Sequence, residues 1–203
     1  MNITLKDGSK ISFEAPVSGL EIAKSISEGL ARNACAVRIN GEVEDLRTIV
    51  TEDCEFEVLT FADADGQAAF RHTTSHIMAQ AIKRLFPETK LAIGPSIADG
   101  FYYDFDREGG FTPEDLEAIE KEMKKIVKED LKLERFTLSR AEAIALMEEK
   151  EEPYKVQLIL DLPEDAELSF YRQGEFTDLC AGPHLMSTKP VKAFKLTSIA
   201  GAY

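Results

Sequence analysis

Histidine, cysteine and tryptophan are scarce in this chain. Its 203 residues include three histidines, three cysteines and no tryptophan. Cys35, Cys54 and Cys180 form an odd, widely spaced set, which argues against a disulfide scaffold and is typical of the reducing cytoplasm. The sequence has no apolar run of membrane-spanning length and nothing like a signal peptide. We therefore expect a cytoplasmic protein without a membrane partner.

Basic residues are also in deficit. The chain has 24 Lys and Arg against 37 Asp and Glu, which gives a formal net charge of -13. Such a field opposes nonspecific binding to nucleic acid, so any contact with nucleic acid has to use local basic patches. One such run, Lys121, Lys124, Lys125 and Lys128, lies in a predicted helix.

The first sixty residues alternate between strand and helix patterns. Ile3, Leu5, Ile11 and Phe13 flank an Asp7-Gly8 turn, as in a β-hairpin. Ser18 and Glu21 form a capping box before a helix whose apolar positions are Ile22, Ile26 and Leu30. Strand patterns follow over 36–39 and 54–58. This ββαββ order predicts a ubiquitin-like β-grasp domain over residues 1–62, and its pattern predicts no functional site.

Residues 63–203 are predicted to form a larger α+β domain. Helices are predicted over 67–85, 113–129 and 140–150, the last two beginning at the caps Thr112 and Ser139. Short strands with tight turns are expected over 91–106, and further strands over 156–160 and 168–171. The chain is therefore predicted to be α+β, with a small β-grasp followed by a mixed or antiparallel sheet and packed helices.

All three histidines fall into two short clusters, His72-Thr-Thr-Ser-His76 and Cys180-Ala-Gly-Pro-His184. Two histidines four residues apart project from one face of a helix. Three histidines and one cysteine suit zinc in type and number, and they equally suit a metal-free cluster that activates water. The first cluster is not a metalloprotease motif, because Thr73 stands where the glutamate would be. A purely structural cluster is the remaining alternative.

Several motifs together resemble the editing domain of bacterial-type threonyl-tRNA synthetases. Besides the two clusters, they are Ile93-Gly-Pro, Gly100-Phe-Tyr-Tyr-Asp104, Tyr154-Lys155 and Asp178-Leu-Cys180. Residues 1–62 resemble the TGS domain that opens these enzymes, and Ala200-Gly-Ala-Tyr203 resembles the entry to their aminoacylation part. The class II catalytic motifs are absent, so the resemblance implies a fragment that edits and cannot charge tRNA.

The resemblance implies a reaction and site roles. The reaction is hydrolysis of the ester between serine and the 3′-terminal ribose of threonine tRNA. His72 and Lys155 would activate water or transfer protons, with the division between them open. His76, Cys180 and His184 would shape the pocket and bind the terminal adenosine, and Tyr103 and Asp178 would hold the seryl group.

Cofactor and partner expectations follow from the same resemblance. No cofactor is expected to be required for editing; if zinc is bound, its ligands would be His72, His76, Cys180 and His184. ATP and a further zinc belong to the missing catalytic domain. The partner is threonine tRNA mischarged with serine; a homodimer is expected for the full-length enzyme and a monomer for the fragment. The alternatives are a zinc-dependent hydrolase of another small ester or amide, and a noncatalytic RNA-binding or regulatory module.

Overall fold

The computed structural model describes residues 1–201, so the predicted entry segment 200–203 lies partly outside the described residues. The described chain is α+β, as predicted, and divides into two compact units. One comprises Met1–Arg71 with Gly182–Met186, and the other comprises His72–Ala181 with Ser187 onward. Within 1–201, no helix combines the length and apolar character needed to cross a bilayer.

The first unit is built on a mixed five-stranded sheet with the order β2-β1-β7-β4-β5. The central pair β1/β7 is parallel, and the other pairs are antiparallel. Its elements are β1 (Asn2–Leu5), β2 (Lys10–Ser12), β3 (Val17–Ser18), α1 (Gly19–Ile26), α2 (Glu28–Asn33), β4 (Ala36–Ile39), β5 (Glu42–Glu44), β6 (Ile49–Val50) and β7 (Cys54–Leu59). The core includes the buried side chains of Ile3, Ile22, Val37, Leu46 and Phe56.

The predicted helix through Leu30 is two helices. The Ser18/Glu21 capping box is present at the start of α1, as predicted. Ser27 then adopts an extended conformation and ends α1, while its hydroxyl accepts a hydrogen bond from the Leu30 N–H and so caps α2. A serine side chain that bonds to the local backbone stabilises a helix start, and the apolar spacing alone did not reveal this break.

The second unit combines helices with short antiparallel ladders. It contains most of α3, which gives residues to both units, and the three-stranded antiparallel sheet β12-β13-β14. Its elements are α3 (Ala64–Leu85), β8 (Lys90–Leu91), β9 (Ser96–Ile97), β10 (Gly100–Phe101), β11 (Phe105–Asp106), α4 (Pro113–Glu129), β12 (Leu133–Leu138), α5 (Arg140–Glu149), α6 (Pro153–Asp161), β13 (Leu168–Gln173) and β14 (Phe176–Leu179). One of its cores is formed by Ala143, Met147, Ile159, Leu168 and Phe170.

The strand predicted over 156–160 is wrong. These residues lie in helix α6, which begins at Pro153. A proline in the first turn fixes a helical φ without losing a hydrogen bond, and a short apolar run fits a buried helix as well as a strand. The helix places Lys155 and Ile159, four residues apart, on one buried face.

Other elements also differ from the prediction. Helix α3 begins at Ala64, three residues before the predicted start, and the Asp63 carbonyl accepts from the Gln67 N–H in its first turn. The predicted junction over 61–66 is therefore partly helical. Strand β12 was not predicted, although it pairs with β13 over six residues.

Candidate active site

Helix α3 carries His72 and His76 one turn apart. Their rings meet edge to face, with centroids 5.0 Å apart and an interplanar angle of 88°. His76 is buried and His72 is half-buried. The Ser75 hydroxyl between them bonds to the His72 carbonyl at 2.7 Å and to the Gly94 carbonyl at 3.0 Å. Ser75 thereby ties the histidine helix to the loop that leads to Tyr103.

Asp178 on strand β14 is the centre of a buried polar network. Its Oδ2 accepts a hydrogen bond from the Tyr103 hydroxyl at 2.6 Å, and its Oδ1 lies 3.0 Å from the Lys155 ammonium. The Lys155 nitrogen also lies 5.3 Å from the centre of the Tyr103 ring. All three side chains are at most 7% exposed. Three separate segments thus bring a carboxylate, an ammonium and a phenol together away from water.

The charges in this network are mutually dependent. Burial acts to raise the pKa of Asp178, but the nearby Lys155 ammonium and the other donors outweigh it and hold that pKa below its usual range. The pKa of Tyr103 is raised well above its usual value, first by burial and then by the Asp178 charge. Asp178 is therefore an anion at neutral pH, and Tyr103 is a neutral hydrogen-bond donor.

His76 is neutral at physiological pH. Burial lowers its pKa to about 3, even though Asp178, whose Oδ2 lies 3.6 Å from the His76 Nε2, acts to raise it. Contact with Asp178 is therefore not an ion pair. The His76 ring also packs edge to face against Phe176 at 6.0 Å and Tyr103 at 6.4 Å. A neutral, buried imidazole is better suited to lining a pocket than to exchanging protons with water.

This pKa gives an expected pH dependence of stability. Because the folded pKa lies below the ordinary value of 6.5, the unfolded chain binds a proton that the folded chain excludes. Stability is therefore fully present above pH 6.5 and declines as the pH falls toward 3, by up to about 1.4 kcal/mol per pH unit. Urea unfolding of the chelator-treated chain at stepped pH measures this slope.

The control for this expectation is a pair of histidine variants. His76→Gln should flatten the slope between pH 6.5 and roughly 5, above the range in which ordinary carboxyls titrate. His72→Gln should keep the slope, because it leaves the buried His76 in place. Equal slopes for wild type and His76→Gln would contradict the assignment.

His72 and Cys180 are half-buried and lie at the edge of the buried network. The His72 Nε2 lies 3.4 Å from the Cys180 Sγ. Three ligand-type residues of the second unit form a candidate metal-binding group: His72, His76 and Cys180. Each offers one ligand atom, and these atoms all lie within 4.8 Å of one another.

The donor set of this group is compatible with zinc. Two imidazoles and one thiolate match catalytic zinc sites, in which three protein ligands leave a fourth position open. Tetrahedral zinc holds its ligand atoms roughly 3.3–3.8 Å apart, so a group spanning up to 4.8 Å would have to contract around the ion. The residues therefore fit zinc in chemistry and would need small side-chain movements to bind it.

Six of the seven predicted site residues form one connected network in the second unit: His72, His76, Tyr103, Lys155, Asp178 and Cys180. The seventh, His184, is completely buried and groups with the first unit. Its backbone N–H donates to the Asp45 carboxylate at 3.1 Å. The roles predicted for these residues stay predictions.

Gly94 lies directly against Tyr103, although its sequence pattern predicted no individual role for it. A β-carbon at this position would lie 2.0 Å from the Tyr103 ring, a distance no side chain can occupy. Tyr103 is also stacked on Phe105, with ring centroids 4.8 Å apart. Only glycine lets the backbone approach the ring so closely, which explains the Ile93-Gly-Pro sequence in physical terms.

The predicted basic run lies on one exposed stripe of α4. Lys121, Lys124, Lys125 and Lys128 follow helical spacing, and all four are exposed. Two acidic residues of the same helix are engaged elsewhere: Glu129 pairs with Arg84, and Glu120 pairs with Lys195. The stripe is a local positive surface on a chain of negative net charge.

Comparison with known proteins matches both ends of this chain to family models. Residues 1–60 match the TGS domain, and residues 168–201 match the threonyl and alanyl tRNA synthetase second additional domain. The second match contains Asp178, Cys180 and His184. Throughout its length, the chain is similar to the N-terminal region of bacterial threonine--tRNA ligases.

The similarity to individual ligases is high. The threonine--tRNA ligases of Acetivibrio thermocellus, Caldanaerobacter subterraneus subsp. tengcongensis and Clostridioides difficile are 63%, 62% and 61% identical over all 203 residues. The chain spans 32% of the length of each of these relatives. The expected resemblance is thus confirmed over the whole chain.

Proposed function

We propose that this chain is a proofreading module of a threonine--tRNA ligase and that it hydrolyses serine from mischarged threonine tRNA. The observation that carries the proposal is the buried Tyr103–Asp178–Lys155 network beside the half-buried His72 and Cys180. The similarity to threonine--tRNA ligases supplies the substrate class. We propose residues 1–62 as a TGS-like domain and 63–203 as the editing domain.

The need for such a module follows from the size of one methyl group. A pocket that binds threonine discriminates against serine by only ~1–3 kcal/mol, so misacylation requires a second sieve. A site that fits serine closely excludes threonine because an extra methyl in a packed pocket is costly. We propose that Asp178 and Tyr103 hold the seryl ammonium and hydroxyl, so that the added methyl of threonine meets the pocket wall.

In the proposed reaction, water attacks the ester carbonyl, the bond to the ribose oxygen breaks, and that oxygen gains a proton. His72 is proposed to accept the proton from water and return it to the ribose oxygen, which suits its half-buried position and the chemistry of imidazole. Lys155 is proposed to act as an ammonium that fixes Asp178, which suits its 3.0 Å ion pair. His76, Cys180 and His184 are proposed to line the pocket around the terminal adenosine.

The proposed partner is the acceptor end of threonine tRNA, in the cytoplasm. The exposed α4 lysine stripe is the proposed contact for its phosphates, because lysine neutralises backbone charge without reading sequence. Because the net negative charge of the chain repels tRNA phosphates, we expect most of the tRNA affinity to come from the remainder of a full-length ligase. We expect homodimer formation to depend on that remainder as well. The isolated chain is expected to be monomeric.

The central test offers seryl-tRNA and threonyl-tRNA to the chain and measures the release of each amino acid. Seryl-tRNA is expected to be deacylated and threonyl-tRNA to be spared by roughly ten- to 200-fold, the discrimination that one methyl supports. The Arg38→Ala chain is the matched control, because Arg38 lies in a half-exposed ion pair of the first unit. Absence of serine release would refute the proposal, and equal release of both amino acids would refute its specificity.

A second candidate function is zinc-dependent hydrolysis of another small ester or amide, which the group of three ligand-type residues in the second unit favours. We propose instead that editing requires no metal. After chelation and metal analysis, the chain is expected to keep its full rate of seryl-tRNA deacylation. Loss of activity with recovery on zinc alone, together with turnover of small esters without tRNA, would favour the second candidate.

A further inference from the structure

Asp45 and Arg47, which lie between β5 and β6, form hydrogen bonds with the backbone of a segment about 140 positions later in the chain. The Arg47 guanidinium donates from Nη1 to the His184 carbonyl at 3.2 Å and from Nη2 to the Leu185 carbonyl at 2.8 Å. The Asp45 Oδ2 accepts from the His184 N–H at 3.1 Å. Both polar groups of the His184 backbone are therefore bonded to the residues of one turn.

This turn is itself rigidly built. The Asp45 Oδ1 accepts from the Arg47 backbone N–H at 2.8 Å and from its Nη1 at 2.9 Å, which fixes the guanidinium before it reaches the segment. Asp45 is 8% exposed and the Arg47 side chain is 15% exposed. Charge-assisted bonds that are shielded from water are strong and directional.

The segment that these residues hold is short and buried. His184 and Leu185 are almost inaccessible to solvent, and the neighbouring Met186 packs against the core of the first unit. Once its peptide groups are fixed on both sides, the His184 imidazole has little freedom beyond its own side-chain torsions. The turn thus fixes the backbone of His184, a residue that is proposed to contact the terminal adenosine.

We propose that Asp45 and Arg47 are positioning residues for His184 and that this is a function of the TGS-like domain in editing. The inference rests on the proposed function for its catalytic consequence, whereas its geometric part concerns His184 alone. It gives the N-terminal domain a role in fixing a residue that is proposed to bind the substrate. Neither residue is expected to touch the substrate.

The experiment compares Arg47→Ala with Arg47→Lys and with the matched control Arg38→Ala in the 203-residue chain. Arg38 is an arginine of the same unit, and its ion pairs are with Asp65 at 2.8 Å and with Glu57 at 3.4 Å. The first readout is the NMR position of the His184 imidazole signal at one fixed pH. Arg47→Ala should displace it, Arg47→Lys should restore it in part by reaching one carbonyl, and Arg38→Ala should leave it unchanged.

The second readout is seryl-tRNA deacylation. Arg47→Ala should lower kcat roughly ten- to 100-fold with KM unchanged, since small displacements of site groups have effects of this order. Arg38→Ala should keep the wild-type kcat. If Arg47→Ala does not fold, Asp45→Asn takes its place, because it keeps an oxygen acceptor and loses the charge that holds Arg47.

The outcomes separate the inference from the proposed function. An unmoved His184 signal in a folded Arg47→Ala chain overturns the positioning role, whatever the activity. Equal losses of kcat in Arg47→Ala and Arg38→Ala also overturn it, because they indicate a general loss of stability. A wild-type chain that releases no serine refutes the proposed function, while the NMR comparison still decides the positioning role.

Discussion

Replacing Asp178 with alanine is expected to destabilise the chain by about 3–5 kcal/mol and to abolish deacylation. The substitution leaves the Lys155 ammonium buried without its counter-charge, and breaking a buried ion pair from one side has an effect of this size. It also removes the acceptor of the Tyr103 hydroxyl. Urea unfolding at neutral pH measures the loss of stability, and serine release measures the loss of activity.

Asp106→Ala is the matched control for this prediction. Asp106 also accepts a hydrogen bond from a tyrosine at 2.6 Å, from the Tyr154 hydroxyl, but the pair is exposed. Its loss should cost no more than about 1.5 kcal/mol. A further test is the double variant Asp178→Ala with Lys155→Met, which removes both charges and should recover part of the stability. An Asp178→Ala chain as stable as Asp106→Ala would contradict the buried ion pair.

Replacing His72 with alanine is expected to lower kcat for seryl-tRNA about 10²–10⁴-fold while the fold is retained. This is the usual contribution of a positioned general acid or base. The fold should be retained because His72 is half-buried on a helix and alanine is the best helix former. Single-turnover deacylation measures the rate, and circular dichroism with thermal unfolding checks the fold.

Lys155→Ala separates the roles proposed for His72 and Lys155. It should lower both activity and stability, because it leaves Asp178 without its ammonium partner, whereas His72→Ala should affect activity alone. Arg84→Ala, on the same helix as His72 but in ion pairs with Glu129 and Glu175, should reduce stability without affecting kcat. Wild-type turnover by His72→Ala would remove His72 from the mechanism.

Local signals in the sequence predicted most of the elements that begin at clear caps. The capping boxes at Ser18, Thr112 and Ser139 are all present, because a side chain that bonds to a helix start acts within three residues. The error over 156–160 arose where the helix start has no side-chain cap at Glu152, and where a run with four apolar residues out of five suits either structure. That helix is decided by packing, which buries Lys155 and Ile159 on one face.

By itself, the sequence determined the α+β class, the pairing of two histidines on one helix face and the resemblance to threonyl-tRNA synthetases. These depend on spacings within one element or on the order of motifs. Only the tertiary structure decided that Asp178 lies between Tyr103 and Lys155, and that Arg47 binds the backbone of His184. Such contacts join residues far apart in the chain, where burial and charge pairing are set by how the elements pack and leave no periodic mark in the sequence.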